Sequence, residues 1–325
     1  MFSRAERLPV RPLRSRSILC RLLSSGRPGD NRVKKGGDVA LHSVQNVIRP
    51  TTPEAAWREK ADRGDAARFL GGGIDVVLYA PPTVDTLIDL SGLNLDGVAA
   101  DGGGLRIGAG VTMTKLLETP ASVEYLGGFL AEAVREVASP LQRNLATIGG
   151  TLAVAHPWSD VIPALLSLDA EAVLFDGSER RMSLEAYYEG REAGELGQPL
   201  ILGVRLPEPP TSARGAFVSF TRTAFDVAIL NVAVVVAIDG GTWRDVRISV
   251  GGRPGLAKRI RAVEQQLVGS PVAEDGIADA AKGTASDIDA KDDRRATADY
   301  RKDVAHATVG RCLRKVAGLA ARSAS

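Results

Sequence analysis

Cysteine is nearly missing from this chain: Cys20 and Cys312 are the only two among 325 residues, and Cys20 lies in the N-terminal tail. Two thiols cannot supply the four ligands of an iron–sulfur cluster or a structural zinc, and they argue against a disulfide framework. Long hydrophobic runs are missing too. The longest, Val227 to Ile238, is broken by Asn231 and falls well short of the roughly 20 residues that a spanning helix needs. No Ser–His–Asp set, HExxH or CxxC occurs, so hydrolase and metalloenzyme readings lack support. Neither G-x-G-x-x-G after a strand nor G-x-x-x-x-G-K-[ST] is present.

What is present suits a soluble globular protein: 44% of residues are hydrophobic, and the length allows two or three domains. The formal charge of +2 conceals an asymmetry. Residues 1 to 37 hold ten Lys/Arg against Glu6 and Asp30, leaving 31 basic and 37 acidic residues in the body. The body therefore gives no electrostatic reason to expect a nucleic-acid partner. The Arg- and Ser-rich tail, residues 1 to 43, is either an organellar-type targeting segment or a disordered extension. Its polar, charge-rich composition favours disorder, so a cytoplasmic protein is expected, with targeting left open by the tail.

Organised structure is expected from Val44. VQNVIRP reads as a strand and TTPEAAWREKADRG as a helix capped by Thr52, with Pro53 in its first turn, Glu54 complementing its dipole and Gly64 ending it. Ala67 to Leu70 reads as a strand running into Gly71-Gly72-Gly73, and LRIGAGV as another, followed by a short helix capped by Thr112. Leu126 to Ala138 and DVIPALLSLD have helical spacing. Strands and helices mix without a strict βαβ rhythm, which favours an α+β class over a doubly wound sheet. PEPPT, Pro207 to Thr211, marks a domain boundary between 44–208 and 212–320. Beyond it, GAFVSFTRT, DVAILNVAVVVAID and WRDVRISVGG predict three consecutive antiparallel strands. A long amphipathic helix follows, with Tyr300, Val304, Thr308, Cys312 and Val316 at every fourth position.

Two glycine clusters carry the chemistry. FLGGGIDV, Phe69 to Val76, and TIGGTL, Thr147 to Leu152, each end a strand-like piece in consecutive glycines. Such residues expose backbone N–H groups and let an anion approach the main chain. A lone pair of glycines is ordinarily a bulge or turn. Two such clusters, each followed by an acid, Asp75 and Asp160, point to one shared phosphate-bearing ligand.

RFLGGGIDV, LIDLSGLNLDGV, LRIGAGVTMTKLLE and above all EVASPLQRNLATIGGTLAVAHPWSDVIPALLSLDAE resemble the FAD-binding medium subunit of molybdenum hydroxylases. This is the flavoprotein subunit of the carbon monoxide, xanthine, nicotinate and aldehyde dehydrogenases. FTRTAFDVAILNVAVVVAIDGG, ISVGGRPGLAKRIRAVEQQLVG and ATADYRK resemble the same subunit's C-terminal domain, so the likeness covers roughly residues 44 to 318. It implies a vanillyl-alcohol-oxidase-type FAD domain followed by a small α+β domain with a three-stranded antiparallel sheet and helices. It also implies a cofactor-binding set: Leu70, Gly71, Gly72, Gly73, Ile74 and Asp75; Thr147, Ile148, Gly149, Gly150 and Thr151; and Asp160, Leu206 and Arg222. In such subunits the two glycine segments hold the FAD diphosphate and ribityl chain by backbone amides, and the acid matching Asp160 meets cofactor hydroxyls. The implied partners are a small [2Fe–2S] subunit and a large molybdopterin subunit, with NAD, a quinone or another acceptor taking the electrons.

This sequence departs from the family pattern at three places. Ile74 stands where Thr or His donates a hydrogen bond, Thr151 where Asn is common, and Arg222 is the nearest cation to a lysine the family often carries. Each lost neutral hydrogen bond would weaken FAD binding by about 1 kcal/mol. Ile74 and the missing lysine keep open a degenerate, flavin-free scaffold, and a stand-alone FAD oxidoreductase is the other alternative. His156 reads as a hydrogen-bonded residue rather than a catalyst, Arg222 and Asp226 as an ion pair, and Tyr187 and Tyr188 as core aromatics. No catalytic side chain is expected, since the flavin carries the chemistry.

Overall fold

The computed structural model describes residues 43–319, so residues 1–42, which hold nearly all of the tail, lie outside the described residues. Strand β1 (Asn46–Ile48) leads into helix α1 (Pro53–Arg63), which starts as the sequence predicts. The Thr52 hydroxyl accepts from the Ala55 amide, Pro53 occupies the first turn and Glu54 complements the helix dipole. Buried Lys60 closes the helix by donating to the carbonyls of Gly64 and Ala67. Strand β2 (Ala67–Leu70), helix α2 (Ile74–Tyr79) and strand β3 (Thr86–Asp89) complete a small parallel sheet in the order β1-β3-β2.

The central layer begins with strands β4 (Val98–Asp101) and β5 (Gly104–Gly108). Six short helices follow: α3 (Met113–Glu118), α4 (Pro120–Glu124), α5 (Phe129–Glu136), α6 (Pro140–Arg143), α7 (Ile148–Val154) and α8 (Val161–Ser167). Strands β6 (Glu171–Phe175) and β7 (Glu179–Ser183), helix α9 (Leu184–Glu192) and strand β8 (Leu200–Leu206) close the domain. The five strands pair antiparallel in the order β4-β5-β8-β6-β7.

Side-chain alternation divides this sheet between two cores. Ala172 and Leu174 of β6 join Leu105, Ile107 and Val204 in a large core with the helices, whereas Val173 and Phe175, with Leu200 and Leu202, meet Ala56, Ala67 and Ile88 of the small sheet's lobe.

Beyond β8, strands β9 (Ala213–Phe220), β10 (Leu230–Asp239), β11 (Thr242–Gly251) and β12 (Lys258–Arg259) form a sheet in the order β12-β11-β10-β9, antiparallel throughout. The expected three-stranded sheet is therefore four-stranded. Strand β12 is only two residues, Lys258 and Arg259 against Val250 and Ser249, too short to carry a period-2 pattern. Helices α10 (Arg261–Leu267), α11 (Glu274–Asp287) and α12 (Ala298–Ala317) cover one face. Val232, Val234 and Val236 of β10 point into that helical core, and Ala233 and Val235 into the large core of the first domain. With both faces buried, β10 reads as an apolar run instead of an alternation.

The buried stripe of α12 also differs from the every-fourth-residue pattern. Thr308, Cys312 and Val316 are buried, but Tyr300 is 46% exposed and Arg301 takes the inward place. Steps of four overshoot a 3.6-residue turn by about 40° each, so the pattern drifts off the buried face over four steps. Arg301 is satisfied by the carbonyls of Ile229, Lys291 and Ala296 and by Asp293. Among the described residues, no helix is long and apolar enough to cross a membrane.

Candidate functional site

The first glycine cluster turns the chain from β2 into α2, with Gly73 at φ +87°, a conformation that side-chain-bearing residues rarely adopt. A Cβ on Gly72 would lie 1.7 Å from the Leu145 carbonyl oxygen, and one on Gly71 would lie 3.0 Å from the Thr147 hydroxyl. The first cluster is thus pressed against the residues that open the second, so the fold unites two motifs far apart in the sequence. The amides of Gly72, Gly73, Ile74 and Asp75 donate to no acceptor among the described residues. Successive unpaired N–H groups around a left-handed glycine form a concavity suited to an anion.

The second cluster is not the end of a strand-like piece. Gly149 and Gly150 lie in the first turn of α7, which Thr147 caps by accepting from the Gly150 amide at 3.1 Å. The other amides of this turn are committed as well: Ile148 N–H donates to Val111, Gly149 N–H to Ala109 and Thr151 N–H to Thr147. Tertiary hydrogen bonds thus override a poor helix-forming sequence. A Cβ on Gly149 would lie 2.6 Å from that of Ala109, so this glycine lets α7 seat closely on the turn after β5. Loop 71–75 carries the open amides, and the 145–151 segment packs against that loop.

The two acids diverge. The Asp75 carboxylate meets His156 Nε2 at 2.6 Å, joining the start of α2 to the segment after α7. The His156 ring stacks on Trp158 with centroids 4.6 Å apart and planes at 12°, and the Arg295 guanidinium lies 5.0 Å above the Trp158 ring. Asp160 is buried at the junction with the second domain, where its Oδ1 accepts from Ser219 Oγ at 2.8 Å and Asn231 Nδ2 at 3.1 Å. Burial pushes its pKa up to about 6, against the pull of the Asn231 and Ser219 hydrogen bonds, with Glu136 adding to the rise.

Leu70 is buried and Ile74 half-buried beside the first cluster. Leu206 lies fully buried in the large core, and Arg222 is an exposed residue on the turn after β9, paired with Asp226 at 3.1 Å. Neither takes part in the contact between the glycine clusters. Tyr187 and Tyr188 are buried core aromatics, and Ser139 and Gln142 form a capping box on α6. The roles of Asn231 and Ser219 as partners of Asp160 were not identified from the sequence. The available signal was Asn231 itself, a polar interruption of an otherwise apolar strand, which calls for a buried partner.

An amide-lined concavity of this kind fits the diphosphate of a nucleotide cofactor, since backbone donors take that charge without a lysine. Together with the sheet-and-helix domain around it, it gives the chain a candidate nucleotide-cofactor site. Residues 42–209 match the family described as the FAD binding domain in molybdopterin dehydrogenase, and residues 215–316 match the CO dehydrogenase flavoprotein C-terminal domain. The chain is 30% identical over 269 residues to the 6-hydroxypseudooxynicotine dehydrogenase complex subunit alpha of Paenarthrobacter nicotinovorans, covering 81% of this chain and 90% of that one. It is 27% identical over 258 residues to the carbon monoxide dehydrogenase medium chain of Hydrogenophaga pseudoflava, covering 77% and 89% respectively. A chain of reconstituted CO dehydrogenase from Oligotropha carboxidovorans has the same fold at a TM-score of 0.78 and 25% identity, covering 85% of this chain and 98% of that one. This chain belongs to the FAD-binding flavoprotein medium subunits of the molybdenum hydroxylases, FAD-dependent dehydrogenase subunits of the carbon monoxide and xanthine dehydrogenase type.

Proposed function

We propose that this subunit relays electrons from iron–sulfur clusters on a partner to an external acceptor, within a complex that also holds a small [2Fe–2S] subunit and a large molybdopterin subunit. The acceptor is of the NAD or quinone type, the organic substrate binds on another chain, and the complex works in the cytoplasm. We assign residues 44–208 to the FAD-binding domain and 212–320 to the C-terminal domain. The observation that carries the reading is the open amide row of Gly72 to Asp75, held against the segment leading into α7. Bound FAD supplies the redox chemistry, while the protein supplies binding, orientation and tuning of the potential.

The residues divide the binding work. The amides of loop 71–75 take the diphosphate, and Thr147 to Thr151 wall the cofactor on the other side. Asp160, whose Oδ1 is committed to Ser219 and Asn231, offers its remaining oxygen to a hydroxyl donor. Exposed Arg222, on the turn after β9, supplies a cation. Ile74 brings no side-chain donor to the first loop, which weakens retention by about 1 kcal/mol without abolishing it.

The test is the absorption spectrum of the purified protein. Flavin bands at near-stoichiometric occupancy, bleached by dithionite, together with co-purification of two further subunits, are the expected result. A colourless protein that takes up no added FAD would refute the flavin reading. A flavoprotein that purifies and turns over alone would refute the subunit assignment.

A further inference from the structure

Helix α2 has little to hold it in place. It is six residues long, none of its side chains is fully buried, and Leu78 and Tyr79 at its far end are 59% and 67% exposed. A helix so short is marginal by itself, and the three glycines before it have the greatest conformational freedom of any residue type. The amides that would meet a diphosphate therefore sit on a loop that local structure alone does not fix. Three contacts hold it: the approach of Gly72 to Leu145, the 2.6 Å contact between Asp75 and His156, and the Tyr79 ring of α2 edge-on to the His156 ring with centroids 6.4 Å apart.

His156 is itself firmly held. Ala155, at φ +53°, ends α7 and turns the chain into the following segment. The ring lies on Trp158, which lies under Arg295 of the second domain. On either side of Trp158, the Pro157 carbonyl accepts from the Gly252 amide at 2.6 Å and the Ser159 carbonyl from Asn231 at 2.9 Å. The 155–160 segment is therefore anchored to the C-terminal sheet, and His156 is its one hydrogen-bonded link to the first glycine loop among the described residues.

We propose that His156 is a positioning residue for FAD, acting through Asp75 to hold the first glycine loop in its binding shape and so tying that loop to the C-terminal domain. The inference rests on the FAD reading above. Pre-organising the loop removes an ordering cost that each binding event would otherwise carry.

The experiment measures FAD affinity by flavin fluorescence quenching on FAD-depleted full-length protein, for the wild type, His156→Ala, Asp75→Ala, the double variant and His156→Gln. Melting temperatures of the FAD-free forms are recorded alongside. Loss of a partly exposed, charge-assisted hydrogen bond is expected to weaken binding about five- to tenfold in each single variant. The double variant should be no weaker than the worse single, because the hydrogen bond between Asp75 and His156 is already lost in each single variant. His156→Gln, whose amide can still donate to Asp75, should retain most of the affinity, and FAD-free melting temperatures should stay unchanged. Unaltered affinity in His156→Ala, losses that multiply in the double variant, or a fall in FAD-free melting temperature matching the loss of affinity would each overturn the proposal. A wild type that binds no FAD would instead bring down the flavin assignment on which it rests.

Discussion

Asp160 gives the structure a pH dependence whose sign and size can be worked out. Its pKa is about 6 in the folded protein, against 3.8 for an ordinary aspartate, with desolvation the main cause. Between about pH 4 and pH 6 the folded protein keeps a proton that the unfolded chain has already released. Stability contributed by this group therefore falls as pH rises through that window and stays low above it. At about 1.4 kcal/mol per unit, the two-unit displacement amounts to about 3 kcal/mol. Asp160→Asn cannot ionise, yet its carbonyl can still accept from Ser219 and Asn231. Relative to the wild type, the variant should gain about 3 kcal/mol between pH 4 and pH 7, as an upward shift of roughly 6 °C in their melting-temperature difference. Thermal melts of both proteins at pH 4, 5, 6 and 7 measure this directly. Parallel profiles would refute the burial argument, and a variant that loses ground as pH rises would show its sign to be wrong. If Asp160 also serves a cofactor hydroxyl, the variant should hold FAD less well at neutral pH while melting higher, the trade expected of a group retained for function against stability.

Two further outcomes follow from packing. Gly72→Ala places a methyl 1.7 Å from the Leu145 carbonyl and must force the two glycine clusters apart. A loss of about 2 kcal/mol together with reduced flavin content is expected, and unchanged flavin content by absorbance would separate this contact from the site. Arg259 is 5% exposed at its side chain, grips Glu264 through Nε and Nη2 at 2.7 and 2.8 Å, and also pairs with Asp169 of the first domain. Among the described residues, Arg259→Met leaves Glu264 buried with only Arg261 and the Ile248 amide as side-chain partners, and should cost about 3 kcal/mol in chemical unfolding. A cost below about 1 kcal/mol would show that the pair is not desolvated as its burial indicates.

Local signals were legible in the sequence where local physics decides the outcome. Thr52, Pro53 and Glu54 start α1 as their chemistry dictates, and three of the four C-terminal strands follow from their apolar runs and glycine turns. The glycine clusters were recognisable as a pair, and the structure does bring them together. Their backbone states were not legible. Thr-Ile-Gly-Gly has poor helix propensity, and α7 forms because Val111 and Ala109 accept the Ile148 and Gly149 amides from across the fold. The pairing of Asp75 with His156 spans 81 residues, and Asp160 meets Ser219 and Asn231 across 59 and 71. No spacing rule reaches so far. Tyr300 departs from the four-residue repeat for a different reason: the helix turns every 3.6 residues, so a strict repeat of four leaves its buried face.

The division of the central sheet between two cores affects how the molecule comes apart. The lobe of β1, α1, β2, α2 and β3 is fastened to the sheet's outer face mainly through Val173, Phe175, Leu200 and Leu202, a far smaller apolar interface than the large core on the other face. Such a unit can part from the body at less cost than global unfolding requires. The open amides belong to this lobe, whereas the segment packed against their loop belongs to the body. On the proposed reading, FAD held by both acts as a rivet, since each increment of binding free energy is added to the work of lifting the lobe away. A lobe fastened by a small apolar interface would then owe part of its persistence to the cofactor.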